Sequence, residues 1–177
     1  DEIIEASDGI MIARGDLGAE VPLETLRYIQ DDIAQRCRKA GKPVIMATQM
    51  LESMMENPMP TRAEVTDVAH AAAIGVDSTM LSGETAAGKF PFASLEMMIL
   101  LLKESEKHLP VHKPKALGDA KEDTVAVETV TLAQEEKAAA IVVHCTTGAT
   151  ARAISRLRPH VPVFIVCDNA DVLRRHQ

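Results

Sequence analysis

The chain has 177 residues, 46% apolar and 25% charged, a balance that fits a globular protein and excludes a disordered one. Its 26 acidic against 19 basic side chains give a net charge of −7, and only 2% of residues are aromatic. Neither a phosphate-tracking surface nor a base-stacking platform is expected, which argues against nucleic acid as a partner. The longest apolar run, MMILLL at 97–102, is too short to span a bilayer, so no membrane partner is expected, and the chain opens on no leader pattern.

In chain order, DEIIEAS (1–7) reads as the tail of an amphipathic helix, and the absence of a starting Met leads us to expect a chain cut at the front. Three segments then share one plan: GIMIARGD (9–16), PVIMATQM (43–50) and DSTMLSGE (77–84) are short apolar runs that end in polar or glycine-rich groups. Aligned on Ile10, Val44 and Ser78 they recur at an even spacing, and each continues into a helical pattern, so βα units are expected. The first helix covers Leu23 to Ala40 and places Leu26, Ile29, Ile33 and Cys37 on one face, with Gly41 just past its end. The second opens at TRAE, where Thr61 and Glu64 form a capping box, continues through Val65, Val68, Ala69 and Ala72, and closes at Gly75. The third, Pro91 to His108, is apolar on nearly every side, which predicts packing on two faces or an interface.

Residues 110–123 hold prolines, a glycine and mixed charge and read as a linker, so 1–109 and 124–177 are expected to be separate domains. Beyond it we expect a helix from Thr124 to Lys137, a strand at 139–145, a helix from Ala149 to Arg158 and a strand at 161–167. Asn169 is then placed to cap a last helix that carries no stop signal, so the chain is expected to be cut at the back too. Short loops between strands and helices imply parallel strands and right-handed crossovers. A constant period with every helix following a strand favours a (β/α)8 barrel over a doubly wound sheet.

In either architecture function gathers at the C-terminal strand ends. The even register places Arg14, Gly15 and Asp16, then Thr48 and Gln49, then Ser82, Gly83 and Glu84 at matching tips. Singly each has a plain reading: an Asx turn at Asp16, a backbone-bonded hydroxyl at Thr48, a loop with a solvated carboxylate at Glu84. Together they suggest a cavity in which Asp16 offers a hard oxygen to Mg²⁺ and glycine-freed amides approach a small carboxylate or phosphate. Arg14 either balances the carboxylates or makes a structural ion pair. Cys37, Cys145 and Cys167 lie in no CxxC pattern, so neither a disulfide framework nor a zinc site is expected and a reducing compartment fits. The six histidines (70, 108, 112, 144, 160, 176) lack ligand spacing and read as surface residues; no GxSxG, P-loop or GxGxxG occurs. In the second domain Thr146, Thr147, Gly148 and Thr150 sit between a strand and a helix start, a place that suits a phosphate, although Thr147 as a simple cap is the plainer reading.

The blocks ASDGIMIARGDLGAEVP, KPVIMATQMLESM, PTRAEVTDVA and DSTMLSGETAAGKFP, in this order, resemble the pyruvate kinase family, and TTGATARAISRLRP resembles the start of that family's C-terminal domain. The resemblance implies the last three βα units of a (β/α)8 barrel. It also implies phosphoryl transfer from phosphoenolpyruvate to ADP in the cytoplasm, with Mg²⁺ (or Mn²⁺) and K⁺. It implies Asp16 as one of two carboxylates on the divalent ion, and the Gly15 and Asp16 amides with the Thr48 hydroxyl on the substrate carboxylate. Ser82 would belong to a network that delivers a proton to the enolate. Arg62 and Asp67 resemble positions between barrels of a homotetramer. Relatives bind a phosphorylated effector at the loop of Thr146, Thr147, Gly148 and Thr150. Here Thr146 and Ala149 stand where some relatives are basic, which argues against a sugar bisphosphate and leaves a smaller phosphate or none. The second metal carboxylate, the lysine on the moving phosphoryl group and the K⁺ ligands are expected upstream of Asp1, so the isolated chain is expected to be inactive. Two other readings stay open: a metal-dependent barrel lyase or aldolase handling pyruvate or phosphoenolpyruvate, and a non-catalytic piece acting in assembly.

Overall fold

The computed structural model describes residues 1–110 and 113–175. Two units divide after Leu109, Asp1–Leu109 and Pro110–Gln177.

The first unit runs α1 (Glu2–Ala6), β1 (Ile10–Ala13), α2 (Arg14–Glu20), α3 (Leu23–Ala40), β2 (Val44–Ala47), a 3₁₀ turn (Glu52–Met55), α4 (Arg62–Ile74), β3 (Ser78–Met80), α5 (Gly83–Ala86) and α6 (Pro91–Lys107). Its three strands are parallel and lie in chain order, β1-β2-β3. That sequential walk is the arrangement of a barrel wall and equally of one half of a doubly wound sheet, which reverses its order only at the switch point. Ile10 pairs with Val44 as the even spacing predicts, but Ser78 pairs with Ile45 in place of Val44. The repeat therefore slips by one position at the third strand, and Leu81 rather than Ser82 stands level with Thr48.

Alternation along the strands sends Ile12, Val44 and Met46 into a core shared with Ala34 and Cys37 of α3, Val68 and Ala71 of α4, and Met98 of α6. Each larger side chain fully buried there contributes about 1.5–3 kcal/mol. The first helix occupies the predicted span and ends on Gly41 in the left-handed region (φ 68°). Its buried stripe is Gln30, Ala34 and Cys37, while Leu26, Ile29 and Ile33 are only half-buried. Ile33 nonetheless packs against the same core from its edge. On α4 the capping box forms in full and Gly75 (φ 77°) closes the helix. Helix α6 does not pack on two faces: Ser94 and Met98 are buried, whereas Phe92, Leu95, Ile99 and Leu100 are exposed.

The second unit runs α7 (Lys121–Glu135), β4 (Ile141–His144), α8 (Ala149–Arg156), β5 (Val163–Val166) and α9 (Ala170–Arg175). Its strands are parallel, from Ile141↔Val163 to His144↔Val166. Helix α7 starts at Lys121, ahead of the predicted Thr124, and buried Asp123 in its first turn pairs with Arg156 of α8, an anchor that a reading along the chain does not show. The core comprises Ala126, Val130, Ile141, Val143, Cys145, Ala151, Ala153 and Ile154. Asn169 caps α9, its Oδ1 accepting the Asp171 N–H at 2.9 Å.

Not every histidine is the surface residue that the sequence leads one to expect. His70 is half-buried, with Nε2 2.8 Å from Asp31 Oδ1, so it ties α4 to α3. His108, His144 and His160 are exposed, and His112 and His176 lie outside the described residues. No helix among the described residues is long and apolar enough to cross a membrane.

Candidate active site at the strand tips

Strand β1 passes directly into α2, so Arg14, Gly15 and Asp16 form the first turn of a helix, where backbone N–H groups have no partner within the helix. One of these donors is used across the sheet: the Gly15 N–H donates to Thr48 Oγ1 at 2.8 Å. Asp16 is exposed, and its carboxylate makes no hydrogen bond among the described residues. The Asx turn considered for it is not formed.

Where β2 ends, Thr48 and Gln49 both take positive φ, 65° and 52°. Two consecutive left-handed residues without a glycine are costly, most of all for a β-branched side chain, and such strain persists only where the surroundings impose it. Arg14 imposes it. Its guanidinium, 8% exposed, donates from Nε to the carbonyls of Ala47 (3.3 Å) and Thr48 (3.2 Å) and from Nη2 to those of Thr48 (2.7 Å) and Gln49 (3.1 Å). Nη2 also meets Met50 Sδ at 2.9 Å, and Nη1 pairs with the Asp67 carboxylate of α4. Gathering three successive carbonyls onto one buried cation fixes the turn and leaves the Thr48 hydroxyl on the Gly15 amide. Arg14 is thus the structural ion pair of the two readings weighed for it. Asp67, a candidate interface residue, is engaged within the chain by Arg14, while Arg62 stands exposed at the start of α4.

Glu84 is not a solvated carboxylate. It is 3% exposed, and its two oxygens accept the N–H groups of Leu51 (3.1 Å) and Ser82 (2.8 Å), joining the loop after β2 to the tip of β3. Ser82 precedes α5 without a side-chain cap. Close packing against backbone explains Gly88, where a Cβ would lie 2.6 Å from the Glu84 carbonyl oxygen, whereas one on Gly83 would meet only the flexible Met55 side chain, 2.8 Å from its Sδ.

A third carboxylate braces the same loop further on. Glu64 accepts from the Ser53 N–H (2.7 Å) and Oγ (2.5 Å) and from the Thr61 N–H (2.7 Å) and hydroxyl (2.8 Å). Desolvation pushes its carboxyl up, but the bonds from Ser53 and Thr61 together outweigh it and hold the group below the usual carboxylate range. The structure therefore joins Gly15 to Thr48 directly and Ser82 to Leu51 through Glu84. The supporting roles of Arg14, Glu84 and Glu64 have no local sequence signal beyond the capping box at Glu64.

In the second unit Thr146 and Thr147 are exposed, and Gly148 (φ 81°) precedes α8. Thr147 Oγ1 lies 3.4 Å from the Ala149 N–H, a long bond for a cap, and Thr150 is half-buried in the first turn. Among the described residues no group of three or more His, Cys, Asp or Glu is placed to hold a metal.

The family model for the pyruvate kinase barrel domain matches residues 1–95, and that for the pyruvate kinase alpha/beta domain matches residues 123–177. Among curated relatives, a pyruvate kinase of Clostridium acetobutylicum is 44% identical over 99% of the chain and one of Dictyostelium discoideum is 46% identical over 93%. The crystal structure of a pyruvate kinase from Cryptosporidium parvum superposes over 98% of the chain with a TM-score of 0.86 and 40% identity. The chain covers 38%, 34% and 36% of these three proteins, so it spans just over a third of their length. The sequential parallel strands of the first unit are the last three βα units of a (β/α)8 barrel, part of a parallel α/β domain follows, and the chain belongs to the pyruvate kinase family.

Proposed function

We propose that the protein carrying this chain transfers the phosphoryl group of phosphoenolpyruvate to ADP, giving pyruvate and ATP in the cytoplasm, with the tips of β1, β2 and β3 as one wall of its site. Family membership supports the reading, and the observation that carries it is the strained Thr48 turn braced by Arg14 with the Thr48 hydroxyl on the Gly15 amide. The Thr48 oxygen accepts from Gly15 and keeps its own proton, which it can donate to the carboxylate of a substrate. The Asp16 amide is a further donor for that carboxylate, and the Gly15 amide joins it by exchanging the Thr48 oxygen for the substrate's. Ser82 supplies the hydroxyl through which a proton reaches the enolate carbon.

Asp16 fits a divalent ion. It is exposed with an uncommitted carboxylate, and Mg²⁺ or Mn²⁺ takes one or two carboxylates and completes its shell with water and substrate oxygens. When bound, the ion supplies charge neutralisation at the phosphoryl and enolate oxygens. A monovalent K⁺ completes the cofactor set. Arg62 faces a neighbouring subunit of a homotetramer in this reading, and the loop of Thr146, Thr147, Gly148 and Thr150 takes a small phosphorylated effector.

In the protein carrying this chain, Asp16→Ala should lower ADP phosphorylation by about 100-fold or more and blunt its Mg²⁺ dependence. Unchanged turnover at limiting Mg²⁺ would overturn the assignment. Thr48→Val should lower turnover with little change in unfolding midpoint; normal kinetics would return the hydroxyl to a purely structural part.

A further inference from the structure

Cys145 and Cys167 stand well apart in sequence, yet the second sheet brings them side by side. Its strands pair through His144↔Val166, and the Cys145 N–H continues the ladder onto the Val166 carbonyl at 3.0 Å. The next residues in register are therefore the two cysteines. Alternation puts both on the face that carries Ile141, Val143, Val163 and Ile165, and both pack in the same apolar cluster. Adjacent strands lie about 4.8 Å apart, inside the Cα separation of about 4.4–6.8 Å that a disulfide bridges. Both thiols are free.

Their exposure differs in a way that orders a reaction. Cys145 is 8% exposed, while Cys167 is half-buried at the strand tip. The Asn169 N–H lies 3.4 Å from Cys167 Sγ, and that thiol points at the Thr146 carbonyl 3.9 Å away. A small reagent reaches Cys167 first, and the sheltered Cys145 then stands next to whatever forms there.

We propose that Cys145 and Cys167 form a vicinal dithiol that a low-molecular-weight disulfide, RS–SR, oxidises reversibly to an intrachain cross-link. The Cys167 thiolate attacks one sulfur of RS–SR, forming a Cys167–S–S–R mixed disulfide and expelling RS⁻. The Cys145 thiolate attacks the Cys167 sulfur and expels the second RS⁻. The two protons lost by the cysteines convert the two RS⁻ to RSH, so two protein thiols and one RS–SR become one protein disulfide and two RSH. The protein loses two electrons and the small disulfide gains them. The cross-link ties the tips of β4 and β5 immediately before the Thr146 to Gly148 turn, whatever that turn binds.

The test treats the whole native protein with oxidised glutathione, quenches with N-ethylmaleimide and maps peptides without reduction. The expected product joins the Cys145 and Cys167 peptides, is lighter by about 2 Da for the two hydrogens lost, and reverts with dithiothreitol. Cys145→Ser and the apolar Cys145→Ala should both stop at a glutathione adduct on Cys167, and Cys167→Ser should remove adduct and cross-link alike. Fully buried Cys37 is the internal control and should stay unmodified. A wild-type protein that carries glutathione on Cys167 while Cys145 is alkylated, that cross-links only after denaturation, or that does not react would overturn the proposal.

Discussion

Two strand-to-helix turns in this chain solve the same backbone problem by opposite means. Behind β4 the left-handed position belongs to Gly148, for which positive φ costs nothing, and the turn beside it carries exposed threonines. Behind β2 the left-handed positions belong to Thr48 and Gln49, for which it is costly, and a buried guanidinium holds them there. A glycine turn can relax when nothing binds it. The Thr48 turn cannot, because its carbonyls are committed to Arg14 and Arg14 to Asp67. Fixed geometry suits chemistry that depends on positioning, as the phosphoryl transfer proposed for the whole protein does.

The strongest way to break this contrast is Arg14→Met, which leaves three carbonyls and the Asp67 carboxylate without their cation. Loss of one partner from a buried pair costs roughly 3–5 kcal/mol, and urea unfolding of the barrel unit should show it, with Arg14→Lys recovering only part. Gly148→Ala should cost about 1–2 kcal/mol, the penalty for a Cβ in the left-handed region, read as the unfolding of the second unit. The matching change Thr48→Gly should be neutral or raise stability by about 1 kcal/mol as strain is released, while lowering turnover of the whole protein. A stability loss there would mean the turn is unstrained.

The smallest expected effect concerns acid. Glu64 has a lowered carboxyl pKa in the fold, so its contribution is complete above the unfolded carboxylate value and is lost as pH falls through the lowered folded value. Glu64→Gln should reduce stability at neutral pH and flatten the acid limb of a stability-against-pH curve. Parallel curves for both proteins would remove Glu64 from the supports of the turn.

Local signals made much of the scaffold readable. The capping box at Thr61 and Glu64, the glycine after α3 and the spacing of the first two strand-like runs can be read along the chain, and each is realised in the fold. What could not be read depends on register. Arg14 reaches partners as distant in sequence as Ala47 and Asp67, so its neighbours suggest a loop cation and only the assembled sheet shows a clamp. Glu84 next to a glycine has the local look of a solvated loop residue, and only the approach of Leu51 buries it. The slip in register between β2 and β3 moved Ser82 beyond the level of Thr48. Asp123, in a segment of linker composition, lies in the first turn of α7 and pairs with a partner distant in sequence, Arg156.

The bond between the Gly15 amide and the Thr48 hydroxyl carries a consequence for selectivity. An oxygen that approaches that amide meets a donor already satisfied by a neutral acceptor at 2.8 Å. Binding there is an exchange of acceptors, and a neutral amide or ester gains almost nothing from it. An anion gains, because charge-assisted hydrogen bonds are roughly twice as strong as neutral ones, and the displaced hydroxyl turns its proton toward the newcomer. In the proposed site the tip of β1 would therefore weigh charge before shape: modest in affinity, strict against uncharged mimics.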